Sequence, residues 1–463
     1  MSDDYINFEA DARTVILLGE DNIKDHNTAI VELIKNGYDA DADNVSVNIT
    51  NTSTREITTT TIEDDGDGMD EDDISNRWAV VGTHSKSADP KTKVKKKTQK
   101  GRMQLGAKGI GRFSAQKLGR KLQMITRKKD SDTEIVIEAD WSKFKTKMKL
   151  EDVRIPLRYR KPDHFTGEAH GTYLRMQEPS ESIGVGELRK LQTSLMRLLT
   201  PSEDAPNFKV TLRLPAEHKE LENIDRADWL EKKFQFKLEC EVTEKGKMKY
   251  HYTERKKPNL THDVDKETMM GDSDEVNIWS ELHPEKVDRA VYPACGKFKM
   301  EVYAWLLKPE VFKELDMRGG KAAMAREQIK RLSGISLYRD GFRLIPYGDE
   351  DDDWLKLNIK RVNQPAKLLS TNQIIGHVDI GFENNLELDD KASREGVQEN
   401  QAFHDLRDIV NHILTKLGNM MSETRGKMAG KKKPKDTSAD KIQKLTEIIE
   451  NMAEVILGYQ QAE

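Results

Sequence analysis

Cysteine is scarce, with Cys240 and Cys295 the only two in 463 residues. Two thiols cannot build a disulfide scaffold or a zinc site resting on cysteine alone, and the count suits a reducing compartment. No apolar run approaches the ~18 to 20 residues that span a bilayer. The opening MSDDYINFEADARTVILLGE carries acid where a signal peptide carries base, so a cytoplasmic protein is expected. A dominant charge is also missing: 76 Lys and Arg offset 81 Asp and Glu, leaving a formal net charge of -5. Without a global field, any preference for nucleic acid or membrane has to come from local patches. Internal repeats are absent. The usual phosphate motifs fail too, because Gly101 and Gly106 are followed by Ala107-Lys108 instead of Gly-Lys-Ser/Thr, and no G-x-G-x-x-G order occurs there.

The chain is longer than the size at which one hydrophobic core keeps growing, so two folded domains with appendages are expected. A strand is expected over Arg13 to Leu18. From Asn27 to Asp39, Ile30, Leu33 and Ile34 fall at helical spacing among polar residues, which predicts an amphipathic helix. VSVNIT, ITTTTIEDDG, KLQMIT and TEIVIEAD read as strands, GTYLRM precedes a helix over Val185 to Leu199, and FKVTLRL closes the first unit. This is an α/β layer pattern ending near residue 215. From 216 to about 420 strands dominate, as in FQFKLECEV, KFKMEVYAWLL, ISLYRDGFRLIPY and IIGHVDIGF, so a second α+β domain is expected. A basic linker over 421–436 then leads to a helix over 437–463, where Ile442, Leu445, Ile449, Met452, Ile456 and Tyr459 repeat like a coiled-coil seam.

Three motifs carry candidate chemistry. In ELIKNGYDA, steps of four and three residues put Glu32, Asn36 and Asp39 on one helix face. Such a face can bind hydrated magnesium through Asn36 and hold the Glu32 carboxylate near a water, or it can be merely solvated. In Asp64-Asp65-Gly66-Asp67-Gly68, a strand runs into a turn whose glycines, Gly66 and Gly68, let backbone approach a flat ligand while Asp64 accepts from an exocyclic amine. An acidic turn or a calcium loop would look similar, but the glutamate expected at the twelfth position of an EF-hand loop is missing. In LGAKGIGRFSAQKLG, Gly106, Gly109 and Gly111, with Lys108 and Ile110 between them, open a helix expected over Arg112 to Lys117 and suit a phosphate cradle.

Taken in order, E-x-x-x-N-x-x-D-A, D-x-G-x-G, G-x-x-G-x-G and the pair Gly171-Thr172 resemble the four boxes of the GHKL, or Bergerat, nucleotide fold. That group includes the ATP-binding half of DNA gyrase, MutL, MORC proteins and the ninety-kilodalton heat-shock chaperones. The resemblance covers roughly residues 13 to 215 and implies an ATP hydrolase using ATP and Mg2+. It implies that Glu32 activates the attacking water, Asn36 binds magnesium, Asp64 and Thr172 surround adenine, and the glycines from 106 to 111 close over the phosphates as part of a lid. RWAVVGTHSKS is similar to the segment leading into that lid.

DDKASREGVQEN resembles the N-(L/I/V)-S-R-E segment of the heat-shock chaperones, whose arginine reaches the terminal phosphate, and this makes Arg394 the candidate. YRDGFRLIPYG and STNQIIGHVDI are similar to the second domain of bacterial MORC-like ATPases, so Arg339 and Arg343 are alternatives. Between Lys91 and Arg102 there are seven basic residues and no acid, and Lys431, Lys432, Lys433 and Lys435 follow in the linker. These stretches could be solvated loops or contacts to a duplex DNA backbone; interleaved aromatics for single-strand stacking are lacking. Two functions follow. One is a MORC-like homodimeric clamp closing on ATP around DNA, with genome defence as one setting. The other is a chaperone-type ATPase acting on client proteins.

Overall fold

Helix α2, His26–Asp39, starts where the Asp25 carboxylate accepts from the Thr28 amide and hydroxyl, each at 2.8 Å. That cap satisfies an amide the helix start would otherwise leave open. Ala29, Ile30, Leu33 and Ile34 are buried at three-four spacing, and this apolar stripe lies in the core of the first sheet. The computed structural model describes residues 9–21, 23–53, 56–81, 97–106, 111–145, 147–202, 206–224, 234–254, 276–287, 290–314, 320–363, 368–391 and 396–428.

The first sheet contains β1 (Asn44–Ser53), β2 (Glu56–Asp64), β3 (Lys121–Arg127), β4 (Glu134–Asp140), β5 (Leu157–Arg160), β6 (Gly171–Gln177) and β7 (Lys209–Arg213). Their order is β5-β4-β3-β6-β2-β1-β7, antiparallel throughout except for β1 beside β7. Val45, Val47 and Ile49 of β1 are buried while Ser46 and Asn48 are less so, the period of two expected of a sheet with one covered face. Helix α5, Val185–Met196, buries Leu188, Leu191 and Leu195 in the same core as α2. It stops short of the expected Leu199.

Two local expectations change. Arg13 to Leu18 is not a strand: α1, Arg13–Ile16, is followed by a wide π turn, Leu17–Asp21, and the Asp11 carboxylate accepts from the Arg13 amide at 2.8 Å. A short continuous apolar run such as TVILL fits either periodicity, and here Val15 and Ile16 bury on the helix core. The helix expected over Arg112 to Lys117 is a 3-10 turn, Gly111–Ser114, running into α4, Ala115–Leu118. After β2, α3 (Glu71–Asp73) carries a capping box made by Asp70 and Asp73.

A second seven-stranded sheet follows: β8 (Phe236–Val242), β9 (Lys247–Glu254), β10 (Val276–Asn277), β11 (Phe298–Ala304), β12 (Gly334–Arg339), β13 (Phe342–Leu344) and β14 (Ile374–Ile380). Its order is β10-β9-β8-β11-β14-β12-β13, with β12 and β14 parallel. The fold is thus mixed α/β with two sheets and helices, consistent with a nucleotide-binding α/β domain followed by a second α+β domain.

Both sheets fall in one compact unit, Met1–Trp354 with Thr371–Ile409. Within it the β12–β13 turn is bonded to the segment after α5: Thr200 N donates to Gly341 O at 2.8 Å and Arg343 N to Leu198 O at 3.0 Å. Arg197, 3 % exposed, donates to the Arg331, Ser333 and Gly348 carbonyls, and Tyr338 donates to Arg197 O at 2.9 Å. These bonds fix the second sheet against the first. The other unit comprises Leu355–Ser370 and Val410–Glu463. It includes the helix Leu357–Asn363 and the latter part of a helix, Gln401–Met428, that runs on into the stretch expected as linker. The remainder of the linker and the helix expected over 437–463 lie outside the described residues.

Candidate active site

A pocket of about 790 Å3 is lined by Glu32, Asn36 and Asp39 of α2, Asp64 at the end of β2, Thr172 of β6, and Arg339 from the second sheet. Gly68, Gly106 and Gly111 line it too. Residues as far apart in sequence as Glu32 and Thr172 therefore share one cavity because β2 lies between β1 and β6 with α2 packed above. Gly66 is buried beside the wall and donates its amide to Asp64 Oδ1 at 3.0 Å.

Asp64 and Thr172 are register partners across β2 and β6. Burial pushes the Asp64 carboxyl up to about 7, opposed by hydrogen bonds from the Gly66 and Thr172 amides, which favour the ionised form. Two glycines permit the close approaches. A Cβ on Gly171, at φ 138, would come within 2.0 Å of Asp64 O, and one on Gly68, at φ 67, within 1.9 Å of Arg127 O. Side chains there would push the strands apart. His170 Nδ1 donates to Gly66 O at 2.6 Å and ties the segment before β6 to the same turn.

Thr126 is a residue the sequence did not single out. Its buried hydroxyl accepts from Met69 N at 2.9 Å and donates to Gly171 O at 3.0 Å, and it lies 3.2 Å from Thr172 Oγ1. With its own proton on Gly171 O, Thr126 Oγ1 accepts a hydrogen bond donated by the Thr172 hydroxyl, and the Thr172 oxygen then offers lone pairs to the pocket. KLQMIT looks like any strand; only the adjacency of β3 and β6 gives Thr126 this position.

On α2, Glu32 and Asn36 lie one turn apart and are half-buried. Lys35 Nζ is 3.2 Å from Glu32 Oε1. Asp39 faces the pocket but its carboxylate accepts from the Leu105 and Gly106 amides at 2.8 and 3.0 Å. Gly106 thus meets Asp39 through its N–H. Lys108, Gly109 and Ile110 lie outside the described residues. Beyond them Arg112 donates to the Arg77 and Val80 carbonyls, and burial pushes its pKa down to about 10.

Arg394 also lies outside the described residues. The alternatives Arg339 and Arg343 both line the pocket, and both are engaged by the second sheet's own neighbourhood. Arg339 bonds the Asp390 carboxylate and Leu388 O, whereas Arg343 bonds Tyr347 O at 2.9 Å and Asp349 Oδ1 at 2.6 Å. Lys391 lines the pocket as well and is 3.7 Å from Glu399 Oε1. Among the described residues, no three His, Cys, Asp or Glu side chains converge to cage a metal, and no helix is long and apolar enough to cross a membrane.

No curated protein matches the chain. Among solved structures the chain is similar to one titled "Crystal Structure of N terminal domain of a DNA repair protein", at 12% identity over 89% of this chain and 98% of that one, with a TM-score of 0.44. Residues 24–172, from the cap of α2 to Thr172, match the family model described as Histidine kinase-, DNA gyrase B-, and HSP90-like ATPase.

Proposed function

We propose that this chain is a magnesium-dependent ATPase of the GHKL type, and that two copies close on ATP as a MORC-like clamp acting on duplex DNA. One observation carries the ATPase reading: Glu32 and Asn36 on α2 line the same pocket as Asp64 and Thr172, so a single cavity offers a hydrolytic end and a base-reading end. The family match over 24–172 spans all four residues.

The donor set fits the nucleotide and its metal. Ionised Asp64 and the Thr172 oxygen are acceptors for the adenine amine. Magnesium takes oxygen ligands, keeps several waters and shares phosphate oxygens, so the single amide oxygen of Asn36 is a sufficient protein contribution. When bound, the ion neutralises phosphate charge. Glu32, one turn away, orients a water and accepts its proton as that water attacks the terminal phosphate.

The DNA reading rests on local charge. Of the basic run, Lys97 pairs with Glu383 at 2.9 Å and Lys100 and Arg102 pair with Asp43 at 2.7 and 2.9 Å. Backbone contact to DNA therefore falls to Lys91, Lys93, Lys95 and Lys96 and to the stretch 431–435, which lie outside the described residues. The division near residue 215 between ATPase and transducer-like halves belongs to the same proposal.

The experiment is ATP turnover with and without magnesium, together with particle mass and duplex binding in ADP and in a non-hydrolysable ATP analogue. ATPase activity, dimeric mass with the analogue only, and DNA affinity falling steeply with salt are expected. Absence of turnover overturns the ATPase; equal mass and DNA affinity in both nucleotides overturn the clamp.

A further inference from the structure

The C-terminal end of α2 and the residues just after it grip an arm, residues 97–106, that leads to the first glycine of G-x-x-G-x-G. Asp39 holds the Leu105 and Gly106 amides. Asp41 accepts from the Lys100 amide at 3.1 Å. Asp43 takes Lys100 Nζ at 2.7 Å and Arg102 Nη2 at 2.9 Å. Arg102 also donates to Ala42 O and, at 2.8 Å, to Asn207 O, and its guanidinium lies 4.7 Å from the centre of the Tyr38 ring. The arm has its own hairpin geometry, with Thr98 N bonded to Arg102 O and Gly101 N to Thr98 O, both at 2.9 Å.

Two features of Asp41 point beyond ordinary packing. Its backbone is left-handed, φ 60, a conformation that glycine, asparagine and aspartate tolerate best. The residue is 4 % exposed, yet its buried Oδ1 has no hydrogen-bond partner among the described residues. A buried half-satisfied carboxylate is unfavourable unless something is gained by it. Here the gain is a charged acceptor aimed at the Lys100 amide, which is a stronger bond than a neutral acceptor would form.

We propose that Asp41 and Arg102 are positioning residues for the ATPase reaction: they set the arm, and with it Gly106, in register with Glu32 and Asn36 on α2. This rests on the ATPase reading given above. Tyr38 and Asp39 directly follow the Asn36 turn, so the register of the arm and the register of the hydrolytic face are set by one stretch of chain. A shift of the arm would displace the phosphate end while leaving Asp64 and Thr172, on other strands, undisturbed.

The test uses the full chain and three variants: Arg102→Ala, Arg102→Lys and Asp41→Asn. Hydrogen exchange at the Lys100, Leu105 and Gly106 amides is read without nucleotide, alongside kcat, KM for ATP and ADP affinity. In Arg102→Ala the arm amides should exchange at least about tenfold faster and kcat should fall about 10- to 100-fold, as expected for reacting groups displaced by an ångström. ADP affinity should fall much less than kcat, since Asp64 and Thr172 sit on β2 and β6 and not on the arm. Arg102→Lys keeps the pair with Asp43 but not the fork, and should recover part of the rate. Asp41→Asn tolerates the left-handed backbone and should lose about three- to tenfold in kcat with the charged acceptor. Unchanged exchange in Arg102→Ala overturns the proposal, as does faster exchange with unchanged kcat. ADP affinity lost in step with kcat would instead show that the variant disturbs nucleotide binding as a whole and not the phosphate end alone, and would overturn it too. A wild-type chain without turnover removes the ATPase reading, and the exchange data then decide separately whether Arg102 holds the arm.

Discussion

Asp64 accepts a hydrogen bond from the amide of Thr172, its register partner across β2 and β6, and the same Thr172 carries the hydroxyl that reaches Thr126. This end of the pocket is thus one bonded unit drawn from three adjacent strands. Its acidity follows from geometry: the carboxyl loses water but keeps two amide donors, and comes to rest near neutrality.

That balance makes a pH prediction. A carboxyl raised from 3.8 to about 7 binds its proton more readily folded than unfolded, so it opposes folding above pH 7, and the opposition fades as pH falls from 7 toward 4. Asp64→Asn should therefore melt no lower than wild type at pH 8, with any advantage narrowing toward pH 5. The same substitution should weaken ATP about 10- to 100-fold at pH 8, the range for a hydrogen bond to a charged group. In wild type, ATP affinity should decline as pH drops through about 7, and Asp64→Asn should lack that component. Calorimetry giving equal affinities for the two proteins at pH 8 would remove Asp64 from the adenine site.

Thr126→Val keeps shape and removes the hydroxyl that Met69 N and Gly171 O share. Leaving those groups unpaired should destabilise the chain by about 1 to 3 kcal/mol. The Thr172 hydroxyl loses its acceptor and is free to turn, so ATP affinity should fall about tenfold. Thr126→Ser should restore both. A valine variant with normal ATP affinity and reduced stability would confine Thr126 to a structural role.

How much of this was legible in the residues differs from element to element. Helix α2 was, because Ile30, Leu33 and Ile34 fix its buried face and Glu32 and Asn36 then have to share the other; the glycines of D-x-G-x-G were, because turns leave a local mark. The segment over Arg13 to Leu18 was not, since so short an apolar-rich run cannot separate strand from helix by its period. Asp39 was placed on the correct face, but its partners, Leu105 and Gly106, are 66 and 67 positions away, and no local pattern encodes them. Thr126, Asp41 and Arg102 owe their positions to strand order and to the path of the arm, which spacing alone does not specify.

Glu32→Ala should bind ATP with magnesium normally and lose about 10²- to 10⁴-fold in turnover, the usual contribution of a general base. Lys35, 3.2 Å from Glu32, is left without that carboxylate but is half-buried at the pocket edge, so folding should survive. Phosphate release and nucleotide affinity are measured on the same preparation. Undiminished turnover would take the water-activating role away from Glu32.

Arg339 and Arg343 are each already engaged by neighbours. Arg339, 5 % exposed, is bonded to the Asp390 carboxylate and Leu388 O, while its buried Nε has no partner among the described residues. Arg343, 4 % exposed, is bonded to Tyr347 O and Asp349. Turning either guanidinium toward a terminal phosphate would return a water-accessible carboxylate, Asp390 or Asp349, to solvent, but would leave the carbonyl of a buried residue, Leu388 or Tyr347, unpaired at a cost of about 1 to 3 kcal/mol. Arg339→Ala and Arg343→Ala should therefore lower thermal stability first, with ADP affinity and turnover declining together as the second sheet loosens beside the pocket. Arg394→Ala should do the reverse if its resemblance to the chaperone segment reports a shared role: melting unchanged, ADP affinity unchanged, and turnover reduced by as much as ~10³, because only ATP carries the phosphate that the guanidinium meets. Arg394→Lys should recover little, since a point charge does not reproduce the fork. Melting curves, ADP titrations and single-turnover rates on the three alanine variants decide the matter. An Arg394→Ala protein that hydrolyses ATP at the wild-type rate, beside a stable Arg339→Ala or Arg343→Ala protein that does not, would transfer the phosphate contact to the second sheet.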